Sequence, residues 1–251
     1  MHQPNADLIL NRLAPTDRVL DIGGWGRPFR RANYVLDQEP YETRGFMGMP
    51  AQGGEREHFT RDTWIQRDIC SRQPYPFADR ELDFVICSHV LEDVRDPLWV
   101  CAEMLRIGKA GYLEVPSRVA ESCRGVEPRM VGWSHHRWLI DIDPGGAGQP
   151  ASVRFLMKYH TIHSHWRLSF PRRFLRRLAD EDKVQWLFWD GGFELSEAVL
   201  HGPATMEAHL AAFVERVHPY PRSWVAADRL ARNAVWLGRR AVARAFRPWR
   251  R

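Results

Sequence analysis

The fold of this 251-residue chain is decided by one early stretch, Val19-Leu20-Asp21-Ile22-Gly23-Gly24-Trp25-Gly26. The mainly apolar run over residues 18–22 predicts a short buried strand that contains an acid near its end. Three glycines in the next four positions allow a sharp turn and a close backbone approach to a ligand, because glycine has no Cβ. The pattern predicts a nucleotide-like cofactor at the carboxyl end of the first strand of an α/β sheet.

The glycine pattern differs from two common phosphate-binding motifs. Phe29 occupies the third glycine position of the G-x-G-x-x-G fingerprint, and Pro28 interrupts the helix that would receive a pyrophosphate. The sequence also contains no P-loop motif of the form G-x-x-x-x-G-K-[ST]. A nicotinamide-dependent dehydrogenase is therefore only a third alternative.

Later segments repeat the pattern of a strand followed by an acid. Predicted strands lie at residues 18–22, 33–37, 64–68, 82–88 and 109–115. Asp37 and Asp68 stand at the ends of the second and third strands. Acids that meet at one edge of a parallel sheet can bind the ribose hydroxyls and the amine of an adenosine.

Residues 17–117 resemble the class I S-adenosylmethionine-dependent methyltransferases, in particular the type 11 group. The resemblance depends on the segments VLDIGGWG, YVLD, RDI and PFADRELDFVICSHVLEDV. The last is the most specific, because the family often has P-F-x-D-x-x-F-D-x-V-x-x-x-x-x-L-E-H, and here Leu82 replaces the Phe and Asp93 the His. The first differs more, since Trp25 and Arg27 occupy the family's second and third glycine positions.

The resemblance implies a doubly wound, mainly parallel, seven-stranded Rossmann-like sheet and S-adenosylmethionine as the cofactor. By position, Asp21 and Gly23 would hold the amino-acid end of the cofactor, with Gly24 and Gly26 in the same loop. Nine residues make up the implied cofactor site: Asp21, Gly23, Gly24, Gly26, Asp37 for the ribose, Asp68 and Ile69 for the adenine, and Ser88 and His89 at the methyl-transfer mouth.

The predicted organisation has four parts. Residues 1–117 form the cofactor-binding half, with helices at 7–13 and 98–106. Residues 118–170 form an inserted cap with strand-like runs at 136–142 and 152–160. Residues 171–203 contain a closing helix and an antiparallel hairpin, 184–189 with 193–200. Residues 204–251 form C-terminal helices with a basic amphipathic tail.

Histidines are the candidate groups for proton abstraction from the acceptor. His135, His136 and His89 are the predicted catalytic residues, with Glu114 or Glu92 as the orienting carboxylate. Methyl transfer by proximity alone, without a base, is an alternative. His163 and His165 would share one face of a strand and could bind zinc with His135 or His136. The sequence favours packing or surface roles for these histidines, so no metal site is predicted.

The positive charge of the chain lies in its tail. Residues 222–251 hold nine arginines and one aspartate, a net +8, so the first 221 residues carry −3 of the total +5. On a helical wheel, apolar residues and arginines separate. The apolar residues are Ala227, Leu230, Ala231, Ala234, Leu237, Ala241, Val242 and Ala245; the arginines are Arg229, Arg232, Arg239, Arg240, Arg244 and Arg247. The helix packs on the domain or, alternatively, lies on an anionic membrane, with Phe246 and Trp249 as anchors; nucleic acid is an unlikely partner.

Composition favours a cytoplasmic enzyme. The first residues lack a signal peptide, no apolar segment is long enough to cross a membrane, and the four cysteines show no C-x-x-C spacing. We expect methyl transfer to oxygen or nitrogen of a small-molecule, sugar or lipid-linked acceptor, with peripheral contact at the inner membrane face as an option. The alternative is a non-catalytic S-adenosylmethionine-binding scaffold or regulator in a biosynthetic complex.

Overall fold

The computed structural model describes residues 1–146 and 148–245. Its strands are β1 (Val19–Ile22), β2 (Tyr34–Asp37), β3 (Trp64–Gln66), β4 (Leu82–Ser88), β5 (Gly108–Pro116), β6 (Trp138–Asp143), β7 (Ser152–Met157), β8 (Val184–Asp190) and β9 (Glu194–Ala198). Its α-helices are α1 (Gln3–Arg12), α2 (Pro97–Ile107), α3 (Arg118–Glu121), α4 (Arg172–Leu175), α5 (Pro203–Val217) and α6 (Arg222–Ala245).

The central sheet has six strands in the order β3-β2-β1-β4-β5-β8. The first five are parallel, and β8 pairs antiparallel with β5. This order and the parallel pairing confirm the predicted Rossmann-like sheet. The carboxyl ends of β1 to β5 therefore meet at one edge, as such a sheet requires.

Both faces of this sheet are buried because its strands are apolar on both sides. Leu20 and Ile22 pack in the same core cluster as α2, while Val19 packs in the cluster that contains Ala6 and Ile9 of α1. Successive side chains of a strand point to opposite faces, so each strand supplies both clusters. Helix α2 begins where Asp96 caps it, accepting a hydrogen bond from the Trp99 backbone N–H.

The parallel connections are unusually poor in α-helix. Among the described residues, only the β4 to β5 connection contains one, helix α2. Residues 23–33 join β1 to β2 through a 3₁₀ turn, Gly24–Gly26, and not through a crossover helix. Pro28 and the glycines explain this, since neither residue type supports a helix interior.

The predicted hairpin of 184–189 with 193–200 is wrong. β9 leaves β8 and pairs parallel with β7, which is antiparallel to β6, so β9 joins the two cap strands in a three-stranded sheet. Gly191 and Gly192, with φ of 73° and 158°, turn the chain away from β8. Leu195 then packs in the cluster that holds Val153 and Phe155 of β7. The central sheet thus has six strands and not the seven that were expected.

Beyond its first turns, the tail helix does not pack on the domain as the sequence favoured. Helix α5 buries Met206 and Leu210 in the cap cluster, but every described side chain of α6 from position 229 to 242 is exposed. Leu230 is 70% and Leu237 60% exposed. The predicted anchors at positions 246 and 249, and the arginine at 247, lie outside the described residues. None of the described helices has the length and apolar character needed to cross a bilayer.

Candidate functional site

A cavity of about 430 Å³ opens at the carboxyl edge of the central sheet. Residues that follow four adjacent parallel strands line it, together with one residue of the cap. They are Gly23 after β1, Asp37 and Gln38 at β2, Asp68, Ile69 and Cys70 after β3, His89, Val90, Asp93, Val94 and Arg95 after β4, and Arg137 before β6. Five of the nine predicted cofactor residues line this cavity: Gly23, Asp37, Asp68, Ile69 and His89.

Asp37 is held in place by the glycine turn. One carboxylate oxygen accepts a hydrogen bond from the Trp25 backbone N–H at 3.0 Å, and the other accepts from the Glu39 N–H at 2.9 Å. Burial raises the pKa of Asp37, and these backbone donors oppose the rise. Each oxygen keeps a further lone pair, so Asp37 can accept hydrogen bonds from ligand hydroxyls.

Asp21 lies beneath the turn and does not line the cavity. Its carboxylate is 4% exposed and accepts the Phe29 N–H at 2.8 Å, which closes the loop after β1. Burial raises the pKa of Asp21 to about 7, although the Phe29 N–H opposes the rise. Asp21 therefore holds the loop after β1 in place and does not line the cavity, where direct contact with the cofactor was expected.

The glycines of the turn serve mainly the protein's own packing. Gly23 has φ of 74°, and a Cβ there would lie 2.2 Å from Cγ2 of Val90. A Cβ on Gly24 would lie 2.4 Å from a carboxylate oxygen of Asp21. Gly24 and Gly26, like Ser88, are not among the residues that line the cavity.

Asp68 forms the opposite wall with a partner that sequence reasoning missed. Arg95 donates to Asp68 at 2.6 Å and to the Cys70 carbonyl at 2.7 Å. Arg95 lowers the pKa of Asp68, despite the opposing effect of desolvation. The only sequence signal for Arg95 was its position directly after the PFADRELDFVICSHVLEDV motif.

His89 lies between two carboxylates, those of Glu114 and Glu92, beside the cavity. Its Nε2 lies 3.0 Å from Oε1 of Glu114, and its Nδ1 lies 3.3 Å from Oε1 of Glu92. Burial would lower the pKa of His89, but the bonds to Glu114 and Glu92 outweigh it and raise the pKa to about 9. Its backbone is left-handed, with φ of 56°, a conformation that a non-glycine residue adopts only under constraint.

Glu114 is the best-satisfied acid near the site. It accepts hydrogen bonds from the Tyr112 hydroxyl, from Asn5 Nδ2 at 3.1 Å and from the His2 N–H at 2.8 Å, besides its contact with His89. Burial alone would raise the pKa of Glu114, but the His89 bond and charge lower it to about 2. Glu114 is thus the orienting partner of His89.

The predicted bases His135 and His136 lie together in the loop before β6. His136 is buried, and its Nδ1 lies 2.8 Å from Oε2 of Glu121. Its Nε2 lies 3.7 Å from Oδ1 of Asp93, a residue that lines the cavity. His135 is exposed, with its ring centroid 4.5 Å from that of His136.

The expected strand that would align His163 with His165 is wrong. β7 ends at Met157, and a 3₁₀ helix spans His160–His163. His163 Nδ1 accepts the Val131 N–H at 3.1 Å, while His165 pairs with Asp228 of α6 at 2.9 Å. These two histidines have structural partners and do not group with His135 and His136.

The cavity fits an adenosine-containing cofactor. It places two carboxylates, Asp37 and Asp68, on the walls formed by neighbouring strand ends, with the apolar Ile69 beside them. On the β4 side, the His89 ring lies between the carboxylates of Glu114 and Glu92. These acceptor groups therefore match a ligand with hydroxyls and an aromatic amine.

Comparisons with known proteins cover part of the chain. A family model described as a methyltransferase domain, of the type 11 group, matches residues 50–113, about a quarter of the chain. The matched segment contains Asp68, Ile69, Ser88 and His89, but not the glycine turn or Asp37. No match is found among curated proteins.

Three solved structures are similar to part of the chain. A SAM-dependent methyltransferase from Methanosarcina mazei is 15% identical, with a TM-score of 0.35, over 58% of this chain and 92% of that one. An S-adenosylmethionine-dependent methyltransferase from Mesorhizobium loti is 17% identical, with a TM-score of 0.33, over 51% and 60%. One from Aquifex aeolicus is 14% identical, with a TM-score of 0.31, over 45% and 65%.

The chain thus spans less than two thirds of the length of the last two structures. The segment matched by the methyltransferase-domain model contains β3, β4 and most of β5 of the parallel sheet. S-adenosylmethionine is the cofactor of this class. The chain therefore resembles the class I S-adenosylmethionine-dependent methyltransferases of the type 11 group.

Proposed function

We propose that this chain transfers a methyl group from S-adenosylmethionine to oxygen or nitrogen of a small-molecule, sugar or lipid-linked acceptor. One observation carries the proposal: the cavity joins Asp37, Asp68 and His89 at the ends of three strands of one parallel sheet. A cavity at this edge is where open α/β sheets bind ligands.

Each wall of the cavity has a role in binding. Asp37 accepts hydrogen bonds from the ribose hydroxyls, and Asp68 with Ile69 receives the adenine. Arg95 fixes Asp68 through their ion pair. Glu114 and Glu92 raise the pKa of His89 to about 9, and its ring, with both nitrogens paired to these carboxylates, lines the methyl-transfer mouth.

The charge of His89 changes the assignment of the base. A protonated imidazole has no lone pair and cannot accept the acceptor's proton. When bound, the cofactor would supply a methyl on a positively charged sulfur, which would keep the electrons of the broken bond, and the acceptor would have to lose a proton. We assign proton acceptance to His136 or His135, or to solvent if proximity suffices.

We also propose that α6 contacts an anionic membrane. Its apolar side chains are exposed, including Trp236 at 54% and Val242 at 57%, and arginines accompany them. The Arg240 guanidinium lies 4.4 Å from the Trp236 ring centroid, an arrangement that suits an interfacial position. Contact with a membrane would bring the protein close to a lipid-linked acceptor.

Calorimetry with S-adenosylhomocysteine tests the cofactor assignment. We expect saturable binding of this product and none of NAD. Asp37→Ala should weaken binding by about 1.5–3 kcal/mol, the usual loss for a hydrogen bond to a charged group. Asp62→Ala, an exposed acid outside the cavity, is the matched control. Tight NAD binding without any response to S-adenosylhomocysteine would refute the proposal.

A screen of acceptors with labelled S-adenosylmethionine separates the enzyme from the scaffold alternative. An enzyme should give labelled product with at least one sugar, lipid-linked or small-molecule acceptor. Cofactor binding with no transfer to any acceptor class would favour the non-catalytic scaffold.

A further inference from the structure

A group of metal-binding side chains stands beside the cavity. Asp93, His135 and His136 each offer a ligand atom, and these atoms lie within 4.8 Å of one another. Asp93 comes from the turn after β4, and the two histidines come from the loop before β6. The group therefore joins the cofactor half to the cap.

His136 has the support that a metal ligand needs. Its Nδ1 bonds Glu121, and Glu121 in turn pairs with the buried Lys158 and accepts the Trp133 N–H at 3.3 Å. Because Nδ1 is engaged with a carboxylate, Nε2 is the ring nitrogen that can bind a metal, and it faces Asp93. A carboxylate behind a histidine is the usual outer shell of a metal site.

Asp93 has an oxygen without a hydrogen-bond partner. Its Oδ1 is buried, and at 3.7 Å from His136 Nε2 it is beyond hydrogen-bond distance. A divalent cation bound here would give this oxygen the partner that it lacks.

The spacing requires only small adjustments. Ligand atoms about 2.1 Å from a metal lie about 3–4 Å apart, somewhat closer than here. His135 is 60% exposed and its nearest acid, Glu127, is 3.7 Å away, so its ring can rotate. Rotation of this exposed side chain brings the third ligand onto the ion.

We propose that Asp93, His135 and His136 bind one divalent transition-metal ion, with zinc the best match to two imidazoles and one carboxylate. The role of this ion rests on the proposed function. Because Asp93 lines the cavity, an acceptor oxygen bound to the ion would lie beside the cofactor site. The ion would lower the pKa of an acceptor hydroxyl and hold its oxygen. His135 and His136 then act as ligands and not as bases, so the hydroxyl proton leaves to solvent.

Titration of tag-free, chelator-treated protein with Co²⁺ alone tests the site. We expect one equivalent, with visible absorption bands from bound nitrogen ligands, and displacement by Zn²⁺. Asp93→Asn and His135→Ala should each weaken binding at least 10-fold, and Glu121→Gln should weaken it by about 10–100-fold through loss of the outer shell. His201→Ala, an exposed histidine outside the group, should bind as the wild type does.

Two outcomes would overturn the inference: no saturable Co²⁺ binding by the wild type, or wild-type binding by both Asp93→Asn and His135→Ala. His135 is exposed, so its variant should fold even if a buried substitution does not, and circular dichroism verifies this. Calorimetry with S-adenosylhomocysteine on the same metal-free sample separates the two proposals. Cofactor binding without Co²⁺ binding refutes only the metal site, and Co²⁺ binding without cofactor binding refutes only the proposed function.

Discussion

At the residue scale, the buried Asp21 makes stability depend on pH. Its folded pKa of about 7 lies above the ordinary value of 3.8, so ionisation on raising the pH costs folding free energy. Stability should therefore fall as pH rises from 3.8 through 7. Asp21→Asn keeps an acceptor for the Phe29 N–H without the charge. We expect a gain of about 1–3 kcal/mol at pH 8 in urea unfolding, and little gain below pH 4.

Asp21→Ala is the control for this effect. It removes both the charge and the acceptor, and should lose about 1–2 kcal/mol at pH 4, where the native acid is neutral. An Asn variant less stable than the wild type at pH 8 would show that Asp21 is ionised and well compensated in the fold.

His89 has a dependence of the same direction, but at higher pH. Its folded pKa of about 9 lies above the ordinary 6.5, so its contribution is complete below pH 6.5 and is lost as pH rises through 9. Glu114, with a pKa of about 2 against 4.5, contributes above pH 4.5. His89→Gln should cost about 1 kcal/mol near pH 5.5, a modest figure because solvent screens the half-exposed ring. Equal stability differences at pH 5.5 and pH 10 would contradict this ion pair.

At the element scale, the turn after β1 tests which glycine is essential. Gly23→Ala places a methyl 2.2 Å from Val90 at a positive φ, and should destabilise the protein by about 2 kcal/mol or more and disturb the cavity. Gly26→Ala meets only the flexible Met47 side chain at 3.1 Å and should cost less than about 1 kcal/mol. Thermal unfolding of both variants compares the two positions. Equal losses would mean that the turn is flexible enough to relieve the Val90 clash.

At the scale of the whole molecule, we expect that the exposed part of α6 can be removed without unfolding the domain. The first turns of α6 have contacts to keep: Asp228 bonds His165 and Trp166, and Trp224 packs near Trp166. Deletion of 233–251 preserves these contacts and removes the exposed part. We expect the shortened chain to keep its Tm and its S-adenosylhomocysteine affinity, and to lose binding to anionic vesicles.

Vesicle sedimentation checks this expectation with the full chain. Binding should be stronger to anionic than to neutral vesicles, and should fall as salt rises, because the attraction is electrostatic. Full-length protein that binds neither vesicle type would rule out the membrane role of α6. A shortened chain that unfolds would show that the exposed part stabilises the domain.

The central sheet could be predicted from sequence because each of its strands is marked by a local pattern of residues. Each apolar run with an acid at its end, such as YVLD before Gln38, indicates a buried strand and the edge that binds ligands. Parallel pairing then places Asp37, Asp68 and His89 at one edge, whatever the loops do. The resemblance to methyltransferases over 17–117 added the nature of the cofactor.

Contacts between distant segments were decided only by the tertiary structure. β9 was expected beside β8, but its partner is β7, because two glycines redirect the chain and Leu195 gains an apolar neighbour there. Asp93 and His136 are far apart in sequence, and no local pattern indicates that the cap brings them together. The ionisation of His89, which follows β4, likewise depends on Glu114 of the neighbouring strand β5. The sequence determined the sheet and its binding edge through local hydrophobic pattern, and tertiary packing decided which charged side chains meet there.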